Sequence, residues 1–445
     1  NLSRGGSTEG DYNNLAPRIN ANYKLGQRST LRAGYGIFYD KIPYAVFSDA
    51  LQQNTTSRDY RSQLQALIDQ GLLPEDTDLD RVTFNGNLSA FLGQEAMVPY
   101  LNGPSSEELQ EQRETVFSNE RRILNPNGWD NPYTHQFTLG YQLQVSNQSR
   151  FYVDLVHNRS FNLFRLRNLN AAAEYPLTRE DVENAADPAD LVRTQAEADA
   201  TRPVPVFTDE NGAFALIEGE RVEGVARNVV MTETEGQSRY YAASFVYQKE
   251  RGEDNYSLLL NYTLSYLENN TEDINFRAMD GNNFENEWGP SINDRRHIIN
   301  GIFNYYPLKG LGISVAALLQ SGQPINRIPD AGLFGTTDLN GDGAFFGDAY
   351  VGNSDRSPGE SRNSDRLPWS NTFDVGLQYD IPLGENALEV RADIFNVFNA
   401  QNLSGYSNNA TQSNQIQPGP RDSGVLIRRN ASAPRQFQFG IRYLW

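Results

Sequence analysis

The sequence predicts an all-β protein: an antiparallel transmembrane β-barrel with about 11 strands in this chain. Three observations predict it. Eleven segments alternate apolar and polar residues with a period of two, the signature of strands with one apolar face. Their ten connections alternate strictly, five short turns interleaved with five long stretches. A tyrosine stands on the apolar face before every short turn: Tyr23, Tyr141, Tyr247, Tyr305 and Tyr379.

The elements follow in order. Leu15, Ile19, Ala21, Tyr23 and Leu25 share a parity opposite Arg18, Asn20, Asn22 and Lys24, and Gly26–Ser29 makes the first turn. Leu31, Ala33, Tyr35, Ile37 and Tyr39 return, before some 90 residues without strand pattern. Phe137 to Val145 leads into Ser146–Ser149, and Phe151, Val153 and Leu155 come back before a second long stretch to about Gly236. Ala243, Phe245 and Tyr247 reach Arg251–Asn255, and Tyr256 to Tyr266 return. Ile299, Phe303 and Tyr305 reach Pro307–Leu311, and Ile313 to Leu319 return. Phe373 to Ile381 reaches Pro382–Asn386, and Leu388 to Ile394 return. The last segment is Phe437, Phe439, Ile441, Tyr443 and Trp445, apolar to the final residue.

A soluble sandwich is the alternative, but it has no reason to put every long connection at one end. An outer-membrane barrel does, with short periplasmic turns and long extracellular loops. The opposite parity is polar, as at Gln136, Thr138 and Gln142, or Ser257, Asn261 and Thr263, or Glu389, Arg391 and Asp393. Such side chains need a wet or plugged lumen; in a dry core they would go largely unpaired. Tyrosines at one height suit an interfacial girdle.

Composition narrows the function. The chain has 445 residues, of which 38% are hydrophobic. Its mean hydropathy is −0.61, and no apolar run is long enough for a transmembrane helix. There is no cysteine, so no disulfide framework. A net charge of −18 argues against nucleic acid. The acid is concentrated: residues 41–132 carry 7 basic and 14 acidic side chains, and residues 161–236 carry 7 and 15. Helix signals within them, such as Ser105 with Glu108 before Leu109, predict folded structures above the membrane.

Catalytic patterns are missing, so the expectation is that the chain is not an enzyme. His135, His157 and His297 sit at strand positions without ligand spacing, and no nucleophile or phosphate-loop motif occurs. Asp338, Asn340, Asp342 and Gly343 match positions 1, 3, 5 and 6 of a calcium loop. Position 12 is Ala349, and Asp348 comes one residue early. Two readings stand: a structural calcium held by Asp338, Asn340, Asp342 and Asp348, or an ion-free turn. No cofactor is otherwise required. In Asn293–His297, Asp294 and its neighbouring arginines are expected to satisfy one another at the barrel rim.

Several stretches resemble the C-terminal half of a TonB-dependent outer-membrane receptor, Oar-like subgroup. They are LAPRINANYKLGQRSTLRAGYGIFYD (15–40), GPSINDRRHIINGIFNYYP (289–307), TDLNGDGAFFGD (337–348) and EVRADIFNVFNAQN (389–402), together with the terminal strand. The resemblance implies a barrel of 22 strands, of which residues 1–445 form the C-terminal part, with extracellular loops at about 41–132, 161–236, 268–293, 322–370 and 399–433. It implies energised uptake of a large solute across the outer membrane of a Gram-negative bacterium, with substrate-binding residues unknown. The partners implied are an N-terminal barrel half and plug outside this chain, TonB, the barrel-assembly machinery, outer-membrane lipid and surface proteins on the long loops. Gln438, Gly440, Tyr443 and Trp445 resemble the family's assembly signal. The alternative is a non-energised barrel acting as surface scaffold, export or adhesion partner.

Overall fold

The structure, a computed structural model, describes residues 13–43, 45–47, 50, 54, 57–83, 120–343, 355–407, 415–416, 427–430 and 433–445. Eleven long strands form one antiparallel sheet, each hydrogen-bonded to the next in sequence. They are β1 (Arg18–Lys24), β2 (Ser29–Tyr39), β3 (Tyr133–Gln144), β4 (Ser149–Asn168), β5 (Asn228–Lys249) and β6 (Tyr256–Asn269). The remainder are β7 (His297–Leu308), β8 (Leu311–Gln320), β9 (Ser370–Leu383), β10 (Asn386–Phe395) and β11 (Gln436–Leu444). All eleven predicted strands are present, and the five short turns join them in the predicted pairs. Two short strands, Glu120–Ile123 and Gly289–Pro290, add to β5 and β6 and bring the sheet to thirteen.

The wall is a single layer. Leu259 and Leu260 are neighbours on opposite faces, and they are 41% and 42% exposed. The chain covers neither face there. One parity carries the apolar band: Leu139, Leu155, Leu264, Phe303, Leu377, Val390 and Phe439 are all exposed. The other parity carries polar pairs that cross strands, such as Arg32 with Asp154 at 2.9 Å and Ser244 with Thr263 at 2.8 Å. Gly140 makes room for the first of these: a Cβ there would lie 2.3 Å from the Asp154 carboxylate. The inner face is not uniformly polar as expected. Leu259 and Ile302 face each other there, in register with Ala316.

The wall is also open. β1 and β11 are the two edges, and every residue of both is exposed.

Three expectations are corrected. Residues 161–236 are not all loop: β4 has 20 residues and β5 has 22, and they pair up to Asn168 and Val230. About 10 residues suffice to cross a bilayer, so their upper halves stand clear of it. A bulge at Ser160 to Leu163, with Asn162 at φ 56°, marks the change of course. Residues 41–132 are not free of strand either, because Glu120–Ile123 pairs in parallel with Asn228–Met231. The first strand begins at Arg18 rather than Leu15. The Ser105–Glu108 capping signal lies outside the described residues.

Candidate functional site

The main packed core sits in the loops, not in the wall. Helix α1 (Arg58–Asp69) buries Tyr60, Gln63, Leu64, Leu67 and Ile68, a helical spacing of one face, behind an N-cap at Ser57. Against that face pack Ile123, Leu169, Val204, Val206, Ala215, Val225, Val229 and Met231. The first and second long loops therefore fold as one body on the extended ends of β4 and β5. Gln63 seals the joint: its amide donates to the Ala226 carbonyl at 2.7 Å and accepts from the Ala226 N–H at 2.8 Å. A second cluster gathers Val46, Phe47, Leu124 and Trp129. The Trp129 indole donates to the Thr232 carbonyl of β5 at 2.8 Å.

Buried acids of the loop layer are clamped by arginine. Four carboxylates each hold two. Glu233 takes Arg165 and Arg167, both at 2.6 Å. Asp199 takes Arg202 and Arg227 at 2.6 and 2.7 Å. Glu120 takes Arg277 and Arg122 at 2.7 and 3.1 Å. Asp294 takes Arg296 at 3.1 Å and, across from a different loop, Arg366. The expected self-satisfaction at Asn293–His297 is thus partly met, with Arg366 as the partner that sequence spacing did not show; Arg295 turns to Gln323 instead. Two further pairs, Arg356 with Glu287 at 2.8 Å and Arg362 with Glu272 at 3.4 Å, tie the fourth loop to the third. Pairs this buried cost desolvation, and breaking one leaves a charge stranded. Their role here is to fix which loop lies against which.

The predicted calcium residues lie in this layer. Both Asp338 carboxylate oxygens accept backbone N–H groups of their own turn, Gly341 at 2.7 Å and Gly343 at 3.0 Å. The Asn340 amide accepts from the Asp342 N–H at 2.9 Å and donates to the Met279 carbonyl at 3.0 Å. Gly341 has φ 70°, and a Cβ would strike the Arg193 carbonyl at 2.4 Å. Asp355, which sequence reasoning did not single out, is buried here and accepts from the Leu339 and Asn340 N–H groups at 2.6 and 3.1 Å. Burial, then the charges of Asp342 and Asp338, push its carboxyl well above the usual range. Among the described residues no three acidic or histidine side chains are grouped to hold a metal. Asp348 lies outside them.

The three histidines join rows of rings on the outer face near the long loops. His157 stacks on Tyr241 at 4.3 Å and on Phe137 at 5.9 Å. His135 sits against Tyr133 at 5.5 Å and bonds the Tyr35 hydroxyl at 2.8 Å. His297 lies between Tyr262 and Trp369 at 6.1 and 5.7 Å. This is a second aromatic belt, opposite the girdle at the short turns. On β3, Tyr133 and Tyr141 are eight residues apart, about 27 Å along a strand and about 21 Å in height at a 40° tilt. An apolar band between two aromatic belts at that separation is what a bilayer selects.

The chain matches the family described as "Outer membrane beta barrel domain" over residues 1–438. It belongs to that family. The barrel therefore lies in the outer membrane of a Gram-negative cell, its belts at the two interfaces and its loop platform outside. No curated protein matches the chain. Among solved structures it is similar to the outer membrane transporter YddB from Escherichia coli, with 12% identity over 97% of this chain and 40% of that one, and a TM-score of 0.47. It is also similar to the ferric-catecholate import receptor Fiu from E. coli, at 10% identity over 96% and 34% with a TM-score of 0.40. The siderophore receptor PirA from Acinetobacter baumannii gives 12% over 87% and 37%, again at 0.40. The chain spans about 40% or less of the length of these structures. Likenesses of this size say nothing about what is carried.

The platform's pH response follows from its clamps. Burial raises the Glu272 carboxyl above its ordinary 4.5, against the pull of Arg362. Burial also raises Asp280 above 3.8. At Glu120 burial works the same way but is overridden by Arg277 and Arg122, which hold it below 4.5. A raised acid binds its proton more tightly when folded, so it adds stability as pH falls from neutral toward its ordinary value. A lowered acid adds stability above its ordinary value and loses it as pH falls through the folded value. Stability of the platform should therefore rise on mild acidification, through Glu272 and Asp280, and fall again once the pH drops below the ordinary glutamate value and Glu120 takes up its proton. Hydrogen-exchange protection of residues 57–83, corrected for intrinsic rates, should show that maximum. A monotonic loss from pH 7 downward would contradict it.

Proposed function

We propose that residues 1–445 are the C-terminal part of the single barrel domain of a TonB-dependent transporter of the Oar-like subgroup, which takes up a large solute at the expense of inner-membrane energy. The observation that carries this reading is the open sheet. β1 and β11 each leave one backbone edge without a partner strand among the described residues, and a bilayer offers such an edge no hydrogen bonds. Further strands must close the wall, and eleven more give the 22 of the receptors that the sequence resembles. A lumen of that size needs a plug, and a plug needs a force to move it. The partners follow: the N-terminal barrel half with its plug, TonB on the periplasmic side, and outer ligands or surface proteins on the platform. Nothing in the site suggests catalysis, and the substrate-binding residues are not assigned.

The test uses the intact protein with whatever strands complete it. Purified from membranes, it should retain the periplasmic domain of TonB on a column and lose it when a coupling segment before the plug is deleted. Failure to retain TonB in the intact protein would favour the alternative, a non-energised barrel serving as scaffold, export or adhesion partner.

The terminal strand has a second proposed role, as the address read by the barrel-assembly machinery. Gly440 supports it. A Cβ there would meet nothing closer than the Arg391 Cβ at 4.0 Å, so the wall does not require glycine. Gln438 and Tyr443 pair with Asp393 and Leu388, while Trp445 is 93% exposed beyond the last pair. Tyr379 is a matched control on the same girdle, 45% exposed against 47% for Tyr443. Tyr443→Ala should leave protein unassembled in the periplasm; Tyr379→Ala should insert normally. Each loses a lipid-facing ring, so if the strand is only wall, both insert alike on heat-modifiability gels.

A structural calcium at Asp338, Asn340, Asp342 and Asp348 is carried forward on its sequence spacing. Asp338 and Asn340 keep unused lone pairs beyond their turn bonds. Calcium should raise the melting temperature of the platform and Asp342→Ala should abolish the response. No response, with Asp355→Asn stabilising the turn by removing a buried acid that faces Asp338 and Asp342, would leave an ion-free turn.

A further inference from the structure

The outer face between β2 and β6 carries more than a band of apolar side chains. Three consecutive rows run across it, set by strand register. The lowest holds Leu139, Leu155, Ala243 and Leu264. The next, toward the long loops, holds Phe137, His157, Tyr241 and Tyr266. The row between them points inward, so its backbone floors a depression of about 570 Å³ walled by these apolar and aromatic side chains. Ala243 supplies the space, a methyl group where its neighbours are leucines.

Above the rings comes a third row of different character: His135, Arg159, Arg239 and Glu268. It lies one pleat repeat, about 7 Å, beyond the aromatic row. Arg239 is paired with Glu268 at 2.8 Å. Arg159 has no carboxylate within ion-pair distance among the described residues. Its guanidinium donates to the Gln237 side chain at 3.0 Å and lies 5.3 Å from the Phe161 ring. An arginine left with a neutral partner, on a face otherwise turned to lipid, stands one row short of Tyr133 and Phe161 in the upper aromatic belt, the level at which such belts meet headgroups.

We propose that this stretch of wall binds a phosphorylated lipid of the outer leaflet. One acyl chain occupies the depression between Leu155, Ala243 and Leu264, and the phosphate lies on Arg159, with Arg239 and His135 beside it. Charge complementarity chooses the head: Arg159 has no carboxylate partner among the described residues, and guanidinium suits phosphate geometry. The apolar depression directly below chooses a tail. Neither feature belongs to the lumen or to the platform, so the lipid would be held whether or not the barrel transports. The inference stands on the outer-membrane placement alone and survives failure of the transport reading.

The experiment takes the intact protein in mixed micelles and measures retention of bis-phosphorylated lipid A by native mass spectrometry. Monophosphorylated lipid A, phosphatidylcholine and inorganic phosphate are the comparison probes. Arg159→Gln should weaken bis-phosphorylated lipid A roughly tenfold, the loss of about one charge-assisted hydrogen bond. Ala243→Phe fills the depression and should weaken it independently, while Leu377→Phe, elsewhere on the lipid face, should not. Phosphatidylcholine, whose single phosphodiester charge is already balanced by its own choline cation, should bind no tighter to the original protein than to Arg159→Gln. Inorganic phosphate should not compete, because it has no chain for the groove. Heat-modifiability confirms that each variant is inserted. Unchanged lipid A binding in both Arg159→Gln and Ala243→Phe would overturn the proposal. Full displacement by inorganic phosphate would overturn it too, by reducing the site to an ion contact.

Discussion

The constraint on which everything else depends is that lipid offers no hydrogen bonds. Each backbone N–H and C=O in the bilayer must find its partner on a neighbouring strand. That is why eleven strands pair strictly in sequence, and why the short turns close so tightly. It also frees the side chains from making a core. The wall is stable with both Leu259 and Leu260 exposed, because its cohesion is in the ladder and its apolar face is solvated by lipid.

The hydrophobic effect is therefore spent elsewhere. α1, the paired extensions of β4 and β5, and segments from the first two loops bury a core of ordinary protein character in water. The wall positions that core by running on past the membrane. The same two strands thus serve two solvents: below the Asn162 bulge they face lipid, and above it Val229 and Met231 face protein. Buried arginine clamps then lock the third and fourth loops onto this body. Their energy is modest once desolvation is counted, but their geometry is specific, since a displaced loop would strand a charge.

Much of this was legible in the residues. Period two marks a strand wherever one face meets lipid and the other a wet lumen, so every wall strand could be read. Turn lengths gave the sidedness, and Tyr23, Tyr141, Tyr305 and Tyr379 gave the lower interface. The reading failed where the two-faced environment ends. In the upper half of β5, Val229 to Glu233 are buried on both faces, and in β4 the bulge at Ser160 to Leu163 shifts the alternation, so neither half reads as a strand of the wall. The upper aromatic belt was missed because its members, such as His157, Tyr241 and Trp369, come from distant strands and align only through register.

What the sequence determined by itself was the wall, because its environment repeats every two residues and is written locally. What only the tertiary structure decided was how the loops assemble. Nothing near Asp294 in the chain points to Arg366, and nothing near Gln63 points to Ala226; those pairings are set by which loops the sheet brings side by side. The same holds for Arg159, which is one more strand arginine in the sequence. Register places it above an aromatic row and an apolar hollow, with no carboxylate in ion-pair reach among the described residues.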